Sequence, residues 1–139
     1  MPRADLVERK VASASGRLDD ALELASCDID TFAGDARRAD LASFYVFLAV
    51  QESIDLATYW IADAGWPPPD DTGGAFDTLA GRGAIPAELA VEMRAMVRFR
   101  NRIAHGYSSV DHRRMHGKIA SGAAILRRFL ACVQPPARG

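Results

Sequence analysis

Eight consecutive residues bring a guanidinium, an imidazole and a phenol into one short span: Arg100-Asn101-Arg102-Ile103-Ala104-His105-Gly106-Tyr107. These groups suit phosphodiester chemistry. The planar fork of an arginine matches phosphate oxygens. A histidine titrates near neutral pH and can move the proton of a 2′-hydroxyl or of a leaving oxygen. A tyrosine can hydrogen-bond a substrate or stack on a base. Gly106 is a stop signal for the preceding helix, so Arg100, Asn101, His105 and Tyr107 should gather around one helix end and the turn after it.

The helix that carries them is legible from its spacing. Leu89, Met93, Met96 and Arg100 follow one another by 4, 3 and 4 residues, which sets a charge in register with an apolar stripe. A buried guanidinium is costly unless it is partnered or opens into a site. The matching anomaly lies in the most apolar helix expected, residues 35–64, where Gln51, Glu52 and Asp55 interrupt Leu41, Phe44, Tyr45, Phe47, Leu48, Ile54, Leu56, Tyr59, Trp60 and Ile61. Two readings of this notch stand open. The acids and Arg100 could form an internal salt bridge that only fixes the helices, or Gln51, Glu52 and Asp55 could hold Arg100 in position for a substrate. The apolar residues of this helix run nearly all round it, so it should be central, facing both the core and a second copy of the chain.

The remaining elements read as helices too. We expect one over residues 4–26, a short one over 75–80 inserting Phe76 and Leu79, the motif helix opening with Pro86 in its first turn, and a last one over 111–133. In that last helix Met115, Ile119, Gly122, Leu126, Phe129 and Val133 step by 4, 3, 4, 3 and 4, a bundle-like stripe. The stretch Gly65 to Gly73, with Pro67, Pro68 and Pro69, is a turn rather than a domain boundary. No segment alternates with period two. The fold class predicted is all-α, an antiparallel bundle of four main helices plus one short helix, forming a single domain over residues 1–133. A tail, 134–139, is expected to fray.

The segment 100–107 resembles the R-x4-H-x-Y motif of the HEPN ribonucleases, in the form seen in HepT-like toxins. The notched helix with Gln51, Glu52 and Asp55, the Phe76 to Leu79 segment, Ile85-Pro86, the Met96-Val97-Arg98-Phe99 approach, Asp111 and the long last helix resemble that family as well, over residues 4–133. The resemblance implies a HEPN helical bundle, a homodimer with the motifs of both subunits in one cleft, and metal-independent cleavage of RNA, with tRNA among the substrates considered. Arg100 would bind phosphate, His105 would act as acid or base, and Asn101 would orient the turn. It further implies a partner antitoxin, a minimal nucleotidyltransferase of the MntA kind, that adds AMP to Tyr107.

Composition limits the other classes. The chain has 139 residues, 49% of them apolar, enough for a core without staples. Cys27 and Cys132 have no metal-type spacing and read as reduced thiols. The first ten residues mix charges of both signs, and the longest apolar run, Phe44 to Val50, is far below the ~20 residues that span a bilayer. The expectation is a soluble cytosolic protein with no membrane contact, no metal and no cofactor. His112 and His116 are one turn apart but lack the glutamate of H-E-x-x-H. Trp60 and Trp66 suit core packing and a turn cap better than a cofactor contact.

The net charge of −1 conceals an uneven distribution: residues 1–92 carry 17 of the 18 acids and 7 of the 17 bases, while residues 93–139 are strongly basic. Either the halves neutralise each other in the fold, or a basic face remains for a polyanion or an acidic partner, and both can hold in part. Arg113, Arg114, Arg127 and Arg128 are the candidates for an RNA backbone track, with a solvated face as the alternative. Three function classes therefore remain at the level of residues: a ribonuclease, a non-catalytic helical nucleotide- or protein-binding module, and a structural dimeric bundle.

Overall fold

In a computed structural model, which describes residues 2–106 and 111–133, the chain forms six helices: α1 (Pro2–Leu24), α2 (Ile29–Gly34), α3 (Ala36–Ala64), α4 (Gly74–Gly81), α5 (Ala87–His105) and α6 (His112–Val133). No strand occurs among the described residues. The all-helical expectation holds, with four long helices at the expected places. Tyr107 and the tail 134–139 lie outside the described residues.

α3 is the central rod and packs against each of the other five helices. Its ends follow from local chemistry. The Asp35 carboxylate accepts the Arg38 N–H at 3.1 Å, filling a donor that the first turn leaves open. At the far end Gly65 takes φ 74°, and the N–H groups of Gly65 and Trp66 reach back to the carbonyls of Ala62 and Ile61. This is the double bond of a Schellman stop, which needs a left-handed residue and so favours glycine. The Arg82 guanidinium lies 5.3 Å from the centre of the Trp66 ring, which packs partly buried against the core.

α2 is the element that the sequence reading did not separate. It has six residues and is fixed by its cap and its contacts rather than by periodicity. The Asp28 carboxylate accepts the Thr31 N–H at 2.7 Å, and Phe32 is buried against the His116 ring on α6, 5.2 Å away edge-on. The Thr31 N–H holds the Asp28 carboxyl below its ordinary range, since it stabilises the charged form. Pro86 stands one place earlier than expected, at the N-cap of α5, where its carbonyl accepts from Leu89 and Ala90.

The core runs along α3 and is closed by α6. Met115, Ile119, Gly122, Leu126 and Phe129 are buried as expected, whereas Val133 is half-buried. Phe129 meets Phe76 of α4 edge-on at 5.2 Å. A Cβ on Gly122 would stand 3.0 Å from the Met96 methyl, so the end of the Met96 side chain packs directly on the Gly122 backbone.

Both readings of the charge distribution apply. Arg94 pairs with Asp71 and Asp77, Arg113 with Asp30, Arg127 with Asp19, and Arg128 with Glu92. Each pair joins a late base to an early acid. Of the four arginines considered for an RNA track, Arg113, Arg127 and Arg128 are paired with carboxylates of the acidic half and Arg114 is not. Arg98, Arg102, Arg114 and Lys118 have no carboxylate partner among the described residues.

Candidate functional site

Arg100 emerges from the last turns of α5 and turns back onto α3. Its Nη1 donates to the Gln51 Oε1 at 2.9 Å and its Nη2 to the Asn101 Oδ1 at 2.8 Å. The guanidinium carbon lies 6.0 Å from the centre of the Phe47 ring. Its Nε is buried and has no hydrogen-bond partner. No carboxylate among the described residues pairs with it.

The internal salt bridge that the sequence left open is therefore not formed between Arg100 and either Glu52 or Asp55. The two acids are occupied elsewhere. Asp55 accepts the Gln51 Nε2 at 3.2 Å and the Lys10 ammonium of α1 at 3.2 Å. Glu52 accepts the Ser13 hydroxyl of α1 at 2.7 Å, with its other oxygen buried and without a partner. Helix geometry accounts for the linkage: Gln51 and Asp55 are one turn apart on one row, so Gln51 reaches both Asp55 and Arg100 of α5, while Asp55, like Glu52, is held by a side chain of α1.

Gln51 is thus the coupling between an acid and a base. Its amide nitrogen faces a carboxylate and its amide oxygen faces a guanidinium, the one orientation of the amide that satisfies both neighbours. The chain Lys10–Asp55–Gln51–Arg100–Asn101 crosses α1, α3 and α5. It holds Arg100 by neutral oxygens and leaves its charge uncancelled. Sequence reasoning missed Lys10 and Ser13, which had no register against α3 to mark them, and it read Phe47 only as core. The signal for Phe47 was present: Phe47, Gln51 and Asp55 are successive i, i+4 neighbours.

His105 is the last residue of α5 and is exposed. Gly106 follows with φ 165°, an extended conformation open to any residue, so the helix stops here without a left-handed glycine. Around the helix, His105 is turned about 140° from Arg100 but only about 40° from Asn101. Arg100 faces α3, whereas His105 and Asn101 share the outward side. Phe47, over which the Arg100 guanidinium lies, stacks on Phe44 at 6.3 Å, and Phe44 and Leu41 farther along α3 are 41% and 42% exposed.

His112 and His116 do not converge. His112 pairs with Asp40 at 3.3 Å, while the His116 Nε2 lies 2.7 Å from the Cys27 carbonyl. Cys27 and Cys132 are free and half-buried. No helix among the described residues is long and apolar enough to cross a membrane.

The profile of the family described as ribonuclease HepT-like matches residues 14–133, a stretch that holds Gln51, Asp55, Arg100, Asn101 and His105. The chain belongs to the HepT-like ribonuclease family. Among solved structures, HepT-like architecture recurs in a toxin–antitoxin structure with AMP-PNP, at TM-score 0.85 and 17% identity, covering 94% of this chain and 98% of that one. It recurs in a tri-AMPylated Shewanella oneidensis HEPN toxin in complex with MNT antitoxin, at TM-score 0.86 and 18% identity, covering 93% and 96%. A mutant of the toxin–antitoxin pair MntA-HpeT gives TM-score 0.82 and 19% identity over 93% and 97%. At these identities the likeness is one of fold. No curated protein sequence matches the chain. Lys10 and Ser13 precede the stretch matched by the HepT-like profile, so part of the support for Arg100 comes from outside it.

Proposed function

We propose that this chain is the toxin of a toxin–antitoxin pair, a cytoplasmic, metal-independent endoribonuclease whose site is built from Arg100, Asn101 and His105. The observation that carries this is the uncancelled guanidinium of Arg100, oriented by two amide oxygens over an aromatic face. A phosphate approaching it displaces no carboxylate, and two parallel N–H bonds to phosphate oxygens are the strong form of such a contact.

The reaction is an internal transesterification of RNA. The 2′-hydroxyl attacks the adjacent phosphorus, its proton goes to a base, the bond to the 5′-oxygen breaks, and that oxygen takes a proton. The products are a 2′,3′-cyclic phosphate and a 5′-hydroxyl. His105 serves as base or acid, and Arg100 stabilises the charge that grows on the non-bridging oxygens. Neither water nor a metal is consumed. Because His105 and Arg100 point to different sides of α5, the site is completed in a homodimer. The exposed apolar residues Leu41 and Phe44 of α3 are the contact, and two imidazoles then provide both the base and the acid.

Control is assigned to Tyr107, two residues past His105. One fold relative is an AMPylated toxin bound to its MNT antitoxin. By analogy a nucleotidyltransferase of the MntA kind would add AMP to the Tyr107 hydroxyl. The added phosphate would occupy Arg100 as substrate does.

The test is cleavage of cellular RNA, tRNA included, by the purified chain. Wild type cuts and does so in EDTA, while Arg100→Ala and His105→Ala each lose about 10²-fold or more with the fold retained. Restoration of a chelated enzyme by added metal refutes the mechanism. Failure of wild type to cut, with a folded dimer, returns the chain to a non-catalytic nucleotide- or protein-binding role.

A further inference from the structure

Besides Arg100, four late bases have no carboxylate partner among the described residues: Arg98 and Arg102 on α5, Arg114 and Lys118 on α6. Three of these line one cleft of about 160 Å³ between the two helices. Its apolar side is formed by Phe99, Ile103 and Met115. The one acid at its rim, Asp111, is spent on the start of α6, where its Oδ1 accepts the backbone N–H groups of Arg113 and Arg114. The cleft is therefore cationic and has an apolar wall.

We propose that this cleft binds the phosphodiester backbone of the RNA substrate beside the scissile bond, with Arg102, Arg114 and Lys118 as phosphate contacts. The assignment rests on the ribonuclease reading above and adds where the substrate strand runs.

Position supports it. Arg102 precedes His105 by three residues and so lies on the same side of α5, and Arg98 extends that side by one turn, about 6 Å. Arg114 and Lys118 repeat the one-turn spacing on α6. A strand leaving Arg100 past His105 thus meets a ladder of cations in the direction of α6. Phe99 offers a half-buried ring on which a base can rest.

The experiment uses the full chain carrying His105→Ala, so that RNA is bound but not cut. It adds Arg102→Gln, Arg114→Gln and Lys118→Gln together. Binding of a fluorescein-labelled mixed-sequence single-stranded oligoribonucleotide is followed by anisotropy across a salt series. Each phosphate contact removed flattens the log Kd against log salt slope by about 0.7, so the triple variant should lose about 2, and Kd at low salt should rise about tenfold or more. Arg127→Gln, whose side chain is held by Asp19, should leave the slope unchanged. In the cutting enzyme, with His105 intact, the same three substitutions should raise KM far more than they lower kcat. If the triple variant fails to fold, the single variants Arg114→Gln and Lys118→Gln give the same reading at about 0.7 each. An unchanged slope and KM in an enzyme that cuts overturns the cleft and leaves the ribonuclease standing. An equal loss in Arg127→Gln also overturns it, as diffuse charge. Salt-dependent binding through these residues by a wild-type chain that never cuts keeps the cleft and refutes the ribonuclease.

Discussion

Replacing Gln51 by glutamate tests whether the uncancelled charge of Arg100 is what the site depends on. The substitution is nearly isosteric and keeps an oxygen at 2.9 Å from the Arg100 Nη1. The guanidinium therefore stays in place, but its partner becomes an anion. Two unit charges about 4 Å apart interact by about 1 kcal/mol in water and about 4 kcal/mol at the effective dielectric of a protein surface site. Both side chains are half-buried, so the cost to a phosphate competing for Arg100 lies between these limits. With about 1.4 kcal/mol per factor of ten, kcat/KM should fall by about 5-fold to about 10³-fold. Stability should fall: the new ion pair favours folding, but the substitution replaces the Gln51 Nε2 bond to Asp55 at 3.2 Å by a contact between two carboxylates. The assay is single-turnover RNA cleavage at fixed ionic strength beside a thermal melt, with Gln51→Ala as companion, which removes the support but keeps the charge. Wild-type cleavage by folded Gln51→Glu would refute the argument. A Gln51→Ala defect alone would show that position rather than charge is what Gln51 supplies.

Further outcomes follow from other features. Tyr107→Phe should still cut RNA but escape the cognate nucleotidyltransferase, with intact-mass spectra showing AMP on wild type and none on the variant; equal labelling places the acceptor elsewhere. Phe44→Asp should convert a dimer to a monomer in sedimentation at micromolar concentration and reduce cleavage with it, whereas a wild type that is already monomeric removes the two-copy site. The Asp28 carboxyl is lowered in the folded state by the Thr31 N–H, so its stabilisation is present above the ordinary carboxylate range and fades as pH falls through the lowered value. Denaturant melts of wild type and Asp28→Ala should accordingly differ at neutral pH and converge in strong acid; a constant difference would assign the effect to packing.

Much of this was legible in the sequence because helices advertise themselves by period. The α6 stripe from Met115 to Phe129, the central place of α3 and the register of Arg100 with Met93 and Met96 all follow from spacing alone. Three features were not. α2 is too short to show a period and exists through Asp28 and Phe32. The division of labour among Gln51, Glu52 and Asp55 depends on which helix lies on which side of α3, and no single helix encodes that. The pairing of Arg113, Arg127 and Arg128 with Asp30, Asp19 and Glu92 is long-range in the chain, so a local reading saw a basic track where the fold makes neutral seams.

Those seams bear on the order in which the chain is made. The ribosome delivers the acid-rich stretch first, net −10 by residue 92, and the compensating bases only afterwards. Until α6 emerges, the growing polypeptide repels itself, and Phe76 lacks the Phe129 ring that covers it. Arg100 and His105 are translated before that closure, so a nascent or truncated product ending ahead of residue 112 has both residues of the proposed chemistry but lacks the helix that closes the core. The last helix thus completes the core rather than the motif: the side chains that orient Arg100 lie on α3 and α5 and are all made before it.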